Sequence, residues 1–272
     1  MLIPPTRTLP NAMPLLPRAA AYEQSRRKTR DVLSFLCTSI YSTEPLLGQV
    51  MRIKDRATIH TSLVRMEQSG VIRRAVIRAA MSNLTLWGIT SEGQQLSTPS
   101  GEDSSPLAFN TAKVSVSRLE HYLSLQQIRI TGERFGWTNF VYCDRERRRN
   151  IAQAESKYNV RPDLTALDPQ GRRVAIECEL SLKNPARYKD SIIPGHIRCL
   201  NAEEYDYVLW ITDTPEAQQT LHQSLTARIQ ELRQEQRLHL SRTFTDYKMF
   251  QFTNLQTWFK SAQTADQSGG QR

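Results

Sequence analysis

The segment 161–183 constrains the fold of this chain more than any other stretch of the sequence. At its centre, Asp168-Pro169-Gln170-Gly171 is typical of a tight turn, because proline presets the φ angle at the start and glycine fits the end. Residues 160–167 and 172–181 on either side of the turn are rich in β-forming side chains. The pattern therefore predicts a β-hairpin.

Acidic side chains are concentrated in this hairpin. Side chains alternate along a strand, so Glu177 and Glu179 are predicted to point to the same face. Folding the hairpin about its turn brings Asp163 opposite or next to Glu177, and Lys183 follows shortly after the second strand. We therefore expect three carboxylates and one ammonium group on a single small patch.

Carboxylates that are so close raise each other's pKa unless a positive charge lies between them. A divalent cation is the usual solution, and ligands that are all oxygen favour magnesium, manganese or calcium over zinc. Such an ion polarises a phosphoryl oxygen and lowers the pKa of a bound water, which suits phosphodiester hydrolysis. The alternative is structural, since Pro-Asp is a common turn dipeptide and Glu-x-Glu on a strand is often a solvated face.

Composition narrows the class of partner. The chain has 272 residues, a net charge of +9 and a pI near 9.6, which favours a polyanionic partner. Basicity alone does not choose between DNA, RNA and an anionic membrane face. No apolar run approaches the roughly 20 residues of a spanning helix, so no membrane insertion is expected. The four cysteines are widely spaced, as expected for reduced thiols in a cytoplasmic protein.

The N-terminal part of the chain has the pattern of a winged helix. Residues 1–17 are proline-rich and are predicted to be a flexible arm, and residues 18–96 to be a winged-helix DNA-binding domain. The first helix is expected from about residue 29, the second starts near Pro45, and Asp55 can cap the third. Two strands then follow, at 71–77 and 84–90, around a wing at 81–83.

In this arrangement the third helix would enter a major groove, and nearby arginines would contact phosphates. The side chains predicted to bind DNA are Arg56, His60, Arg65, Arg73 and Arg74 in this domain, with Arg145 and Arg187 further along the chain. The alternative is that these are ordinary surface residues, since winged helices also dimerise or bind protein.

A serine- and proline-rich segment, 97–110, is predicted to be a linker to a second domain at 111–262, with a disordered tail at 263–272. The predicted order of elements in the second domain is helix, three strands, helix, strand and helix. Its first helix is expected from about Lys113 to Arg134 and carries Glu120, a further candidate acid for the metal site. His121 beside it is expected to be packed or exposed rather than catalytic.

The hairpin resembles the PD-(D/E)xK nucleases, with Pro162-Asp163 as the first half of the motif and Glu177-Cys178-Glu179 as the second. Glu179 stands where the commonest pattern has lysine, which leaves open whether Lys183 reaches back to do that work. The resemblance implies an α/β chain, α+β overall, in which a winged-helix domain precedes a restriction-endonuclease-like mixed-sheet core.

With both halves taken together, the chain looks like the MobC-type relaxases of mobilisable plasmids and the related replication-relaxation proteins. This resemblance implies that Asp163, Glu177 and Glu179 hold Mg²⁺ or Mn²⁺, with Lys183 as the assisting cation. It also implies nicking of one DNA strand at a transfer origin, together with an accessory mobilisation protein and a coupling protein. Water would give a plain nick, whereas a covalently attached strand needs a tyrosine, and Tyr188 is the nearest in sequence.

Two other functions remain open at this point. The chain can be a DNA-binding mobilisation or replication accessory protein that does not cut. It can also be a restriction-type endonuclease that cuts both strands, which would favour a symmetric dimer.

Overall fold

The computed structural model of the chain describes residues 18–78, 83–97, 108–144, 160–235 and 249–260. Helices and strands are both abundant, and the strands form two separate sheets, one of three strands and one of five. The predicted mixed α+β class is therefore confirmed. Among the described residues, no helix is both long and apolar enough to cross a membrane.

The N-terminal half contains three helices and a small antiparallel sheet in the order β1-β3-β2, followed by a fourth short helix. In chain order the elements are α1 (Arg18–Ser39), β1 (Tyr41–Thr43), α2 (Glu44–Val50), α3 (Arg56–Gln68), β2 (Ile72–Arg78), β3 (Asn83–Ile89) and α4 (Ser91–Ser97). This is the helix and strand order that the sequence predicts, with β1 added. Of the predicted wing at 81–83, residues 81 and 82 lie outside the described residues, and Asn83 begins β3.

Local signals position these helices. Pro45 lies in the first turn of α2, where its missing N–H costs no helical hydrogen bond. The Asp55 carboxylate accepts a hydrogen bond of 2.8 Å from the backbone N–H of Thr58 and so caps α3. The expected start of α1 near residue 29 is wrong, because the helix begins at Arg18. Its first turns are exposed and carry no apolar face that a sequence pattern could detect.

The C-terminal half is built on a five-stranded sheet of order β4-β5-β6-β7-β8. Strand β5 is antiparallel to both β4 and β6, whereas β6, β7 and β8 run parallel to one another. The elements are α5 (Leu119–Arg134), β4 (Thr138–Tyr142), β5 (Leu164–Leu167), β6 (Arg173–Glu179), β7 (Tyr207–Thr212), α8 (Pro215–Gln234) and β8 (Phe250–Asn254), with a broken helix between β6 and β7. The predicted order of helix, three strands, helix, strand and helix is observed.

The broken helix consists of α6 (Pro185–Arg187), a π-helical turn (Tyr188–Ile192) and α7 (Ile193–Asn201). The sequence predicts a break at Pro194-Gly195, and the structure places the irregular turn immediately before them. Pro194 has no N–H to donate to the preceding turn, and a π-turn is one way in which a helix accommodates such a gap.

The expected start of α5 at residue 113 is also wrong. Two short 3₁₀ turns, Thr111–Lys113 and Val116–Arg118, precede it, and the chain between them is extended. Val116 in the second of these turns is 46% exposed. The α-helix therefore begins only at Leu119.

The helix α5 lies between the two halves and packs against both. Ile130 belongs to the apolar core of the N-terminal half, whereas Leu125 and Ile128 belong to the core on one face of the large sheet. The buried Ser42 hydroxyl donates a hydrogen bond of 2.6 Å to Oε1 of Gln126 on α5. The helix α5 is therefore shared by the two halves. Within the predicted linker, Ser97 and residues 108–110 are described, and Phe109 there is buried.

Candidate active site

The predicted hairpin is formed by β5 and β6, and its register is set by the turn between them. Leu164 pairs with Ile176, and Leu167 pairs with Arg173. The Asp168 carboxylate accepts hydrogen bonds of 2.9 Å from the backbone N–H groups of Gln170 and Arg172. Gly171 has a φ of 76°, a conformation that favours glycine. This register places Asp163, directly before β5, beside the end of β6.

Asp163 is held from two sides. Its Oδ2 accepts a hydrogen bond of 2.8 Å from the backbone N–H of Cys178 on β6. Its Oδ1 lies 3.1 Å from Nε2 of His121 on α5. This hydrogen bond raises the pKa of the His121 ring above its usual value, although partial burial acts in the opposite direction. The carboxylate is therefore fixed between the sheet and α5.

The side chain next to Asp163 is therefore His121. Glu120, the residue predicted as a further acid of the metal site, is exposed on α5. The expectation that His121 is merely packed or exposed missed this contact. Helical spacing carries the signal, because His121 lies four residues before Leu125 and seven before Ile128, both of which face the sheet.

Glu177 is buried, with only 6% of its surface exposed. Its Oε1 lies 2.9 Å from Nε2 of His196 on α7, and Nδ1 of the same ring lies 2.6 Å from the Tyr205 hydroxyl. Burial raises the pKa of Glu177 well above its usual value, and the nearby charge of Asp163 adds to this rise. Burial also lowers the pKa of His196 to about 3, so the ring is neutral in the folded protein.

No sequence signal points to His196. It is one histidine within an apolar helical segment, and nothing in its neighbourhood along the chain connects it to Glu177. Only the packing of α7 against β6 brings the two side chains together.

Glu179 is 3% exposed, and one of its carboxylate oxygens contacts the ammonium group of Lys183. Burial raises the pKa of the Glu179 carboxyl, whereas the contact with Lys183 acts to lower it. The sequence left open whether Lys183 reaches back to the hairpin. In the structure it does, because its ammonium group contacts Glu179.

Tyr188 contacts the backbone of Lys183. Its hydroxyl accepts a hydrogen bond of 3.1 Å from the backbone N–H of Lys183, and its ring packs edge-on against Trp210 with centroids 6.0 Å apart. The side chain is 1% exposed, and burial raises the pKa of its hydroxyl to about 12. Tyr188 is thus packed and neutral in this conformation.

We call four of these residues the acidic patch: Asp163, Glu177, Glu179 and Lys183. Their side chains lie close enough to influence one another's charge. Among the described residues, however, no group of three or more His, Cys, Asp or Glu side chains is arranged to hold a metal ion. Each carboxylate is instead directed to its own partner. The donor types nevertheless fit Mg²⁺ or Mn²⁺, because three carboxylates supply only oxygen. A bound cation would favour the charged form of Glu177, which burial and, to a smaller extent, the charge of Asp163 disfavour.

The predicted DNA-binding side chains of the N-terminal half are all exposed; they are Arg56, His60 and Arg65 on α3 and Arg73 and Arg74 on β2. Glu44 pairs with two of them, at 3.7 Å from Arg56 and 3.0 Å from His60. Arg187 is exposed at the end of α6, and its charge acts to lower the pKa of Glu177, so it lies near the acidic patch. Arg145 lies outside the described residues.

Comparison of the chain with protein-family models, with curated proteins and with solved structures finds no match.

Proposed function

We propose that this protein is a metal-dependent DNA endonuclease that nicks one strand. The observation that carries the proposal is the meeting of Asp163, Glu177 and Glu179 with Lys183 at the end of the β5–β6 hairpin. Groups of carboxylates that raise one another's pKa, with a cation in contact, are typical of functional sites rather than of solvated strand faces. The burial of both glutamates argues against the structural alternative.

In this proposal, Asp163 and Glu177 hold Mg²⁺ or Mn²⁺, and Glu179 shares in ligation or orients the attacking water. The bound ion would supply polarisation of the phosphoryl oxygen and a lower pKa for water. Lys183 offers its ammonium group to the negative charge that develops on the phosphate. His121 and His196 act on the carboxylates themselves, because each forms a hydrogen bond that fixes the direction of one of them.

The N-terminal half supplies DNA binding in this proposal. A net charge of +9 and the exposed arginines of α3 and β2 favour a polyanion, and Arg187 adds a phosphate contact beside the acidic patch. We further propose that the biological substrate is a plasmid transfer origin, where a nick would begin mobilisation with the help of an accessory protein and a coupling protein.

The test is nicking of supercoiled plasmid in Mg²⁺ or Mn²⁺, with and without the cognate transfer region. Asp163→Ala and Glu177→Ala should each abolish conversion to open circles. Glu216→Ala is the matched control, because Glu216 is an exposed acid in the first turn of α8. It should cut as the wild type does.

Other outcomes point to the other functions. A protein that retards DNA in a gel but never cuts it under either metal is a non-cleaving accessory protein, and the proposal then fails. Linear product without open circles would instead indicate a restriction-type enzyme that cuts both strands.

A further inference from the structure

A cavity of about 140 Å³ opens between the two halves of the molecule and ends at the acidic patch. Asp163 and His121 line one end of it. Three tyrosines line it from three different elements, Tyr41 on β1, Tyr122 on α5 and Tyr142 on β4. The cavity exists only because the N-terminal half packs against α5 and β4.

The three tyrosine rings pack against one another in tilted arrangements, and we call them the tyrosine wall. The ring centroids of Tyr41 and Tyr122 are 5.1 Å apart, and those of Tyr122 and Tyr142 are 5.7 Å apart. Ser39, at the end of α1, forms hydrogen bonds to the hydroxyls of two of these tyrosines. Its carbonyl accepts a hydrogen bond from the Tyr122 hydroxyl, and its own hydroxyl donates to Tyr142 over 3.2 Å. The aromatic faces are therefore held before any ligand arrives.

The backbone beside this wall is strained. Ile40 lines the cavity with a φ of 63°, in the left-handed region that a β-branched side chain rarely adopts. Two backbone hydrogen bonds keep it there, from its N–H to the Leu36 carbonyl over 2.6 Å and from the Ile89 N–H to its carbonyl over 2.9 Å. Strain of this kind persists where surrounding structure enforces it, and it concentrates at binding sites.

The charge around the cavity is mixed in a way that suits a nucleotide. Lys113 and Arg118 line it and are exposed, so their cationic ends are available to a phosphate at the mouth. Asp144 also lines it and pairs with Arg118 at 3.7 Å. Aromatic faces flanked by cations are the combination by which proteins bind single-stranded nucleic acid without reading its sequence.

We propose that this cavity binds one unstacked base of the DNA strand that the acidic patch cuts. A cavity of about 150 Å³ accepts a benzene-sized ring in a protein interior, so the space suits one flat ring and no base pair. The strand is then unpaired where it enters, and its base stacks on the tyrosine wall while Lys113 and Arg118 contact its phosphates. The inference rests on the proposed function for the identity of the ligand.

The test measures binding without cutting. The full chain, in EDTA, is titrated with a short single-stranded oligonucleotide and with an abasic strand that has the same number of phosphates. The wild type should bind the strand with bases at least about fivefold more tightly, as stacking of one base predicts. Tyr41→Leu should lose that preference, whereas Tyr22→Leu, which changes a 64% exposed tyrosine on α1, should keep it.

A second measurement needs no variant and so does not depend on how well Tyr41→Leu folds. An oligonucleotide that carries iodouracil is crosslinked to the wild type by light, and the joined peptide is identified by mass spectrometry. Crosslinks at Tyr41, Tyr122 or Tyr142 are expected. Equal affinity for the base-bearing and abasic strands, or crosslinks only elsewhere, would overturn the inference.

The binding and nicking experiments distinguish failure of this inference from failure of the proposed function. If the strand preference is absent but Glu177→Ala still abolishes nicking, the cavity has no role in base binding and the nuclease stands. If the preference is present and sensitive to Tyr41→Leu but no metal supports cutting, the base site stands and the nuclease does not.

Discussion

Nε2 of His196 lies 2.9 Å from Oε1 of Glu177, and the two side chains are 0% and 8% exposed. Burial disfavours the charged form of both groups, so it raises the pKa of the glutamate and lowers that of the histidine. Below the raised pKa of Glu177 the pair is therefore neutral, a carboxylic acid hydrogen-bonded to an uncharged imidazole. This hydrogen bond gives a direct link between protonation and stability.

In metal-free buffer, stability should fall as the pH rises above about 6.5. Between the usual values of 4.5 for glutamate and 6.5 for histidine, the folded pair and the unfolded chain each bind one proton. Above 6.5 the unfolded pair binds none, whereas the raised pKa of Glu177 lets the folded protein keep that proton until the pH passes this pKa. The free energy of unfolding should then decrease by at most about 1.4 kcal/mol per pH unit.

Urea unfolding in EDTA at several pH values measures this effect. Glu177→Gln should flatten the dependence above pH 6.5, because the proton-binding group is gone. His121 contributes in the same direction through its raised pKa, so the informative quantity is the difference between the wild type and this variant. Identical pH profiles for the two proteins would show that Glu177 is ionised in the fold.

Divalent metal should stabilise the folded protein, independently of any cutting. An ion that binds only the folded state, at about a hundredfold excess over its Kd, adds about 2.7 kcal/mol to the free energy of unfolding. Asp163→Asn should remove most of this gain, because it removes one charge from the acidic patch. The measurement is the melting temperature with and without Mn²⁺. An equal rise in Asp163→Asn and the wild type would place the metal elsewhere.

Tyr188→Phe should retain nicking and should not change the chemical form of the product. The hydroxyl is buried against the Lys183 backbone and does not face the solvent, so an attacking water is the consistent nucleophile. Loss of one hydrogen bond should cost about 0.5–1.5 kcal/mol of stability. The check is denaturing electrophoresis of labelled DNA for a protein-bound strand. A covalent adduct in the wild type that vanishes in Tyr188→Phe would make this tyrosine the nucleophile.

Gln126→Leu should weaken the contact between the two halves. The Gln126 side chain accepts from the buried Ser42 hydroxyl over 2.6 Å and donates to the partly buried Tyr41 carbonyl over 2.8 Å. Leucine would leave these groups without that partner, at a cost of about 1–3 kcal/mol in the free energy of unfolding. Gln95→Leu, at an exposed position on α4, is the control and should cost far less. Equal losses would mean that the interface is not specified by this contact.

The hairpin and most of the individual elements could be predicted from the sequence because their signals are local. The turn at Asp168-Pro169-Gln170-Gly171, the cap at Asp55 and the proline at the start of α8 each act over a few residues. The same local reasoning failed at the start of α1, which has no apolar face, and at the start of α5, where an extended segment interrupts the helical pattern.

Only the tertiary structure determines which side chains form hydrogen bonds to the acidic patch. His121 meets Asp163 from 42 residues away, and His196 meets Glu177 across 19 residues, only because α5 and α7 cover opposite faces of the same sheet. The tyrosine wall likewise joins β1, α5 and β4. The sequence by itself determined that acids would gather at one hairpin, since alternation and turn geometry are local. Which side chains hold those acids, and what cavity opens beside them, depends on the packing of distant elements.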